Sequence, residues 1–396
     1  MGTSCESPGL YIHAPFCATR CPYCDFHSTT DPGRIPGWIA GVLREADRHS
    51  GRWQEFDSLY LGGGTPSSLS VADLGALIHG LRRRLPLASR IQATVEVNPD
   101  DVTPRRAAAW RGLGFDRVSV GIQSLDDRML RFLGRRHDAA TALQAVESLR
   151  GAGFPEPGLD LVFGLPGLDD DLWEESLDRT LELGPGHLSC YELTIEPGTA
   201  LGRRLARGEV SAPDDETVRR QFLRTHARLT AAGFDHYEVS NYSRSPAHRS
   251  RHNGKYWRHA PYLGLGPAAH SFDGRRRWWN PRSLSGWEMA LADGRDPAEG
   301  RERLTADQLR MEALMLGMRT SDGVPRKTPG VAPEALALLQ AEGLVTVAGG
   351  RIRPTALGML VADGIPLTLT GGKGRDSSYD YRTHGISATV PDPKSD

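Results

Sequence analysis

Lysine is almost missing. The chain of 396 residues carries it only at positions 255, 327, 373 and 394, and arginine supplies the rest of the positive charge. Acidic and basic side chains nearly cancel, leaving a formal net charge of −1 and a pI near 6.9. A chain so balanced has no overall basic field to hold nucleic acid. Two arginine triplets, 82–84 and 275–277, stand out locally and read either as solvated faces or as anion sites. No apolar run approaches the roughly 18 residues of a membrane span. The opening "MGTSCESPGL" has neither the basic stretch nor the apolar core of a secretory leader. Glu6 stands where an N-myristoylation motif wants Ser or Thr. Five cysteines in so long a chain do not make a disulfide framework. These absences together point to a cytosolic protein.

What cysteine there is lies close together. Cys17, Cys21 and Cys24 follow a C-x3-C-x2-C spacing, and Cys5 and Cys190 stand apart from it. Three chemistries compete for such a triad. Zinc would need a fourth ligand, with His13 and His27 nearby, but the spacing is not a usual zinc knuckle. A Cys21–Cys24 dithiol would leave Cys17 without a role. A [4Fe–4S] cluster is normally held by four thiolates, and with three supplied one iron stays open to an outside ligand. An open iron can chelate the amino and carboxylate groups of S-adenosylmethionine.

Short β-rich runs alternate with amphipathic stretches over the first 240 residues or so. "LYIHAP", "SLYLGGG", "ATVEVNP", "DRVSVGIQS", "LDLVFGLP" and "HLSCYELT" predict six strands, several apolar at nearly every position, as in parallel strands covered on both faces. Between them, Leu74, Leu77, Ile78, Leu81 and Leu85 fall on one helical face behind the capping stretch Ser70–Asp73. Six βα repeats predict a parallel α/β sheet, open or closed into a barrel. Polar residues recur where strands end: Glu96, Gln123 and Asp160. Each alone is a capped ladder end, but in a parallel barrel that end is where sites form.

The cysteine spacing just after a first strand resembles the radical S-adenosylmethionine superfamily, which implies a partial (β/α)6 barrel. Within it, "YIHAPFC", "YLGGGTP", "VEVNP", "VGIQSL", "LGRRH" and "LDLVFGLP" are similar, in order, to the oxygen-independent coproporphyrinogen III oxidase group. The resemblance implies an S-adenosylmethionine shell of Tyr11, Tyr23, Gly63, Gly64, Thr65, Glu96, Gln123, Arg135 and Asp160. Gly63 and Gly64 would offer backbone to the methionine amino group. Glu96, Gln123 and Asp160 would exchange hydrogen bonds with amino and ribose groups, and Arg135 would counter the carboxylate. Read without the resemblance, the glycines make a turn and Arg135 a surface ion pair beside Arg136.

Oxidases of this group carry a fourth cysteine two residues after the third, and an N-terminal extension over the substrate. Here the fourth position is Phe26, and sixteen residues precede Cys17. Both departures resemble the oxidase-like sister family, the HemW-type heme chaperones. "RHNGKYW" agrees, because it contains the H-N-x-x-Y-W motif that this family associates with heme. His252 would supply an axial imidazole, and Asn253, Tyr256 and Trp257 would complete the site. A neutral imidazole suits heme iron, and aromatic rings pack on a flat porphyrin. The alternative is a histidine and two aromatics packed at the barrel's edge. His248, His259 and His270 stand nearby as second ligands or as structural residues, and "GLG" at 264–266 would close the site from the barrel side.

The function implied is heme binding and hand-over to an apo-hemoprotein, such as a membrane respiratory enzyme, with only peripheral membrane contact through bound heme. Radical decarboxylation of coproporphyrinogen III is the alternative. A radical modification of RNA or protein comes third, with the charge balance opposing RNA. The expected divisions are a barrel over 1–243, a connecting segment over 244–300 and a smaller, mainly helical, winged-helix-like C-terminal domain of HemN type over 301–370. The tail over 371–396 is expected to be disordered.

Overall fold

A computed structural model describes residues 6–371, so the tail, Gly371 apart, lies outside the described residues. The first half alternates strand and helix: β1 (Gly9–Ala14), α1 (Ile35–His49), β2 (Phe56–Gly63), α2 (Val71–Arg82), β3 (Leu87–Val97), α3 (Pro104–Gly112), β4 (Arg117–Gln123), α4 (Asp127–Phe132) and α5 (Ala139–Gly151). β5 (Gly158–Phe163), α6 (Asp170–Glu182), β6 (His187–Glu192), α7 (Ala200–Ala206), α8 (Asp215–Ala231), β7 (Asp235–Glu238) and β8 (Asn241–Ser243) follow. Next come α9 (Arg251–Trp257), β9 (Tyr262–Leu265), β10 (His270–Phe272), β11 (Arg276–Trp279), α10 (Leu284–Ala292) and β12 (Gly300–Arg303). The C-terminal part holds α11 (Ala306–Gly317), β13 (Val324–Pro325), α12 (Pro333–Ala341), β14 (Val345–Ala348), β15 (Arg351–Pro354), α13 (Ala356–Leu360) and α14 (Gly364–Leu369).

These elements gather into two compact units, each made of separated chain segments. Among the described residues, the first takes 6–122, 133–159 and 250–306. Its strands run in the order β12-β11-β10-β9-β1-β2-β3-β4. β1 to β4 pair in parallel, and Leu10, Ile12, Leu59, Leu61, Val95, Val97, Val118 and Val120 are all buried. Helices cover them. α2 starts where Ser70 Oγ accepts from the Asp73 amide, and Leu74, Leu77, Ile78 and Leu81 face the core.

The stretch after residue 244 reads without periodicity, yet it folds as regularly as the rest. β9 pairs in parallel with β1, placing Gly264 opposite Tyr11, and β10, β11 and β12 continue as an antiparallel ladder. Strands of three or four residues are too short to show a period of two. Gly264 and Leu265 of "GLG" thus belong to β9, zipped to the strand that leads into the cysteine loop, and Gly266 follows directly after it.

Among the described residues, the second unit takes 123–132, 160–249 and 307–371. It carries the sheet order β5-β6-β8-β7 and, separately, the three-stranded sheet β13-β15-β14. Leu314, Met318, Leu336, Leu339, Ile352, Ile365 and Leu369 form a hydrophobic core under that small sheet.

Candidate functional site

β1 delivers the chain into the loop that carries Cys17, Cys21 and Cys24. Its two ends are clamped: the Cys17 amide donates to Thr29 O (3.0 Å) and the Thr29 amide to Pro15 O (2.6 Å). Inside the loop, the Cys24 amide donates to Cys21 O at 3.2 Å, a tight turn. The three thiols are half-buried and free of disulfides. Thr65 Oγ1 donates to Cys17 Sγ at 3.4 Å, and Arg135 Nη1 donates to Cys21 Sγ at 3.8 Å. Burial pushes the Cys24 thiol up to about 11, and the neighbouring Cys21 and Cys17 thiols push the same way. Among the described residues no three His, Cys, Asp or Glu side chains converge as the ligands of one metal ion would. A cube of four irons takes each thiolate at a separate corner, so it suits a more open triad.

The glycine turn after β2 braces this loop. Gly63 sits at φ +109°, and a Cβ there would lie 2.7 Å from the His13 ring. A Cβ on Gly64 would lie 2.7 Å from Phe16 O. Only glycine allows that approach. The Gly64 amide donates to Ala14 O (2.9 Å) and the Thr65 amide to Phe16 O (2.7 Å). Glu96, at the end of β3, accepts from the Gly63 amide (3.1 Å) and from Tyr60 Oη (2.7 Å). His13 completes the brace, with its ring nitrogens 3.1 Å from Tyr11 Oη and 3.2 Å from His27 O. Burial lowers the His13 pKa to about 4, so the ring is neutral.

Arg135 reaches the loop from beyond β4. Besides Cys21 it donates to Gly121 O (2.8 Å) and to Asn98 Oδ1, and it lies beside Tyr23. Tyr23 has its phenol raised by burial, against which Arg135 works. Arg136 turns away to Asp101 at 3.2 Å, an ordinary ion pair. Tyr11, Tyr23, Gly63, Gly64, Thr65, Glu96 and Arg135 are therefore gathered with the three cysteines in the first unit. Gln123 and Asp160 fall in the second unit. Gln123 has φ +63°, uncommon for a residue with a side chain; burial raises the Cys190 thiol, and the nearby Asp160 carboxylate adds to that shift.

The H-N-x-x-Y-W stretch forms α9, capped by Ser250 Oγ, which accepts from the Asn253 amide at 3.2 Å. It turns its histidine inward. His252 is 1 % exposed, with Nδ1 3.3 Å from Ser58 Oγ and Nε2 2.9 Å from Tyr256 Oη. Its ring stacks on Tyr60 and Tyr11, with centroids 5.4 and 6.1 Å away. Burial, with Lys255 adding, lowers its pKa to about 3. As folded, both nitrogens are occupied, so the imidazole presents no lone pair to an outside iron. Trp257 is half-buried on the same helix. His259 stacks on Phe272 (4.4 Å), His270 on Trp279 (6.1 Å), and His248 meets Ser245 Oγ at 2.9 Å. Sequence reasoning overlooks two residues here. One is Tyr60, which joins Glu96 to His252. The other is the buried Lys255, whose Nζ contacts Asp57 Oδ1 at 2.8 Å and Ser7 O at 2.6 Å. In a chain so poor in lysine, that one position was the available signal.

A parallel α/β domain with three thiols on its first loop, braced by a glycine turn, defines a radical S-adenosylmethionine protein. Residues 11–180 match the radical SAM superfamily, and residues 304–361 match the HemN C-terminal domain. The chain is 38 % identical over 371 residues to the heme chaperone HemW of Mycobacterium tuberculosis, covering 92 % of this chain and 95 % of that one. It is 40 % identical over 268 residues to the heme chaperone HemW of Escherichia coli, covering 66 % and 69 %. The fold is similar to that of coproporphyrinogen III oxidase (HemN) from Escherichia coli, with a TM-score of 0.79 at 22 % identity over 92 % of this chain and 90 % of that one. This chain belongs to the HemW heme chaperone family. The expected fold class, a radical SAM α/β domain followed by a smaller, mainly helical C-terminal domain, is the one found. Membership of the superfamily implies a [4Fe–4S] cluster and S-adenosylmethionine.

Proposed function

We propose that this protein is a heme chaperone that carries a [4Fe–4S] cluster on Cys17, Cys21 and Cys24 and hands heme to an acceptor hemoprotein. The observation that supports it most is the three-thiol loop with an exposed Phe26, 62 % accessible, where an oxidase would have a fourth cysteine. When bound, the cluster supplies one iron open to the amino and carboxylate groups of S-adenosylmethionine.

The chain's own residues prepare that chemistry. Cys24 must release a proton before it can hold iron. Arg135 and the Thr65 hydroxyl donate to the sulfurs of Cys21 and Cys17, so a hydrogen-bond donor faces each of the other two ligand positions. The amides of Gly63, Gly64 and Thr65 are spent inside the protein, so the carbonyls of the turn are the groups suited to accept from an amino group. In this reading Tyr11, Tyr23, Glu96, Gln123, Arg135 and Asp160 complete the S-adenosylmethionine shell. His252, Asn253, Tyr256 and Trp257 would form the heme site, with His252 free to meet the iron only after α9 releases it from Ser58 and Tyr256. The acceptor is a respiratory enzyme at a membrane, reached from the cytosol through peripheral contact. Among the described residues no helix is long and apolar enough to cross a membrane.

The test is a titration of heme into anaerobically reconstituted protein, followed by absorbance. Saturation near one heme per chain is the expected result. Weak binding that never saturates, together with turnover of coproporphyrinogen III, would overturn the reading in favour of the oxidase.

A further inference from the structure

The α9 helix is fastened by the residues that lead into β1. Gly9, Ser7 and Glu6 meet positions 252, 255 and 258, which are three residues apart, so this strap runs along one flank of the helix and past its end. A Cβ on Gly9 would lie 2.8 Å from His252 Nδ1, so only a bare backbone closes on the ring. Ser7 O accepts from Lys255 Nζ at 2.6 Å. Glu6 Oε1 accepts from Arg258 Nε at 2.9 Å and from Nη2 at 2.6 Å. The Gly9 amide donates to Pro261 O at 3.1 Å, which ties the chain beyond α9 to the same strap.

The two cations on this flank differ. Lys255 is fully buried and keeps a second carboxylate, with Nζ 2.8 Å from Asp57 Oδ1 and 3.0 Å from Oδ2. Breaking a buried pair leaves a charge without compensation, so Lys255 is a fixed anchor. Arg258 and Glu6 are both partly exposed, and Glu6 is the one carboxylate partner of Arg258 among the described residues. A pair of that kind contributes little and exchanges readily. Burial disfavours the charged form of Glu6, but Arg258 and Lys255 outweigh it and hold its pKa below the ordinary value. A carboxylate therefore rests on Arg258 at neutral pH.

Heme carries carboxylates of its own. We propose that Glu6 occupies the place of a heme propionate: the cargo takes Arg258 from Glu6, the strap lifts, and α9 is free to turn His252 toward the iron. This rests on the chaperone reading above and names two things that reading leaves open, a carboxylate anchor for the cargo and the contact that keeps the site shut without it. Paired N–H donors of arginine suit either carboxylate, so the exchange trades one ion pair for another. What changes is the grip of the strap. The new bond is the one from the His252 imidazole to iron, which the ring cannot make while it is held between Ser58 and Tyr256. No proton has to leave, because the buried ring is already neutral.

The experiment uses the full-length, cluster-loaded protein and two probes, heme and heme dimethyl ester. They share the ring and the iron but differ in the carboxylates. Rates and affinities are read from the Soret band. Wild type is expected to bind heme roughly tenfold more tightly than the ester, the scale of one charge-assisted contact. Glu6→Gln removes the competing charge and is expected to speed the binding of both probes severalfold. Arg258→Gln is expected to bind the two probes with nearly equal affinity, and Arg258→Lys to restore part of the preference. Cluster absorbance and circular dichroism serve as folding controls for all three variants. If wild type saturates with one heme, but Glu6→Gln binds it no faster or Arg258→Gln keeps the full preference, the strap assignment is overturned and the chaperone reading stands. If wild type never saturates, the chaperone reading fails, and this proposal falls with it.

Discussion

Gly63 admits no side chain, because its backbone is left-handed and His13 occupies the space a Cβ would need. Gly63→Ala should lower stability by about 1–3 kcal/mol and loosen the turn that braces Cys17, read as a lower urea midpoint and weaker S-adenosylmethionine binding in calorimetry. His252 makes a second single-residue case. His252→Ala leaves Ser58 and Tyr256 without a partner and opens a void, at a cost on the order of 2–4 kcal/mol near pH 7. The sign of its pH dependence follows from burial. The unfolded chain protonates this ring near its ordinary pKa of 6.5, while the fold keeps it neutral down to about 3. The unfolded state therefore binds more protons in that window, and the stability His252 provides is lost as pH falls. The gap between wild type and His252→Ala should narrow from pH 7 to pH 4.5 in paired urea titrations. A gap that widened toward acid would contradict a neutral, buried ring.

At the scale of elements, the cysteine loop is held by several neighbours at once. Its ends meet through Pro15 and Thr29, Thr65 and Arg135 touch its thiols, and Arg282 donates to Asp25 O and Oδ2, both at 3.1 Å. Ser in place of Cys17, Cys21 or Cys24 should leave the reconstituted protein without its full iron content, measured by iron and sulfide assay. Arg135→Ala should retain the iron but lose it faster in air. α2 and β1 to β4 were legible in the sequence because their cause is local: a serine cap, a 3.6-residue stripe, runs of buried aliphatics. α9 and β9 to β12 were not, because each is only a few residues long and draws its geometry from partners far away in sequence. The direction of His252 belongs to the second kind. The motif names the ring, but Ser58 and the stack of Tyr60 and Tyr11 decide where it points.

For the molecule as a whole, chain order and packing order differ. Residues 250–306 return to the unit that residues 9–122 began, which a reading along the sequence cannot foresee. The scarcity of lysine turns that into a measurement. Lys327 is exposed, whereas Lys255 is 1 % exposed and anchored to Asp57. A lysine-specific protease acting on the native protein should cut after Lys327 quickly and after Lys255 only at the rate of opening of the first unit. Rapid cutting at 255 would mean that the segment does not stay docked. There is also an order of events in time. β1, which leads into the cysteine loop, is flanked by β2 on one edge and by β9 on the other, with Gly9 opposite Tyr262. During synthesis the first edge is covered early, but the second stays bare until most of the polypeptide has left the ribosome. Iron delivered to a nascent chain would meet thiols on a half-walled strand, so loading belongs to the finished molecule, and a truncated message would yield a product that cannot keep its metal.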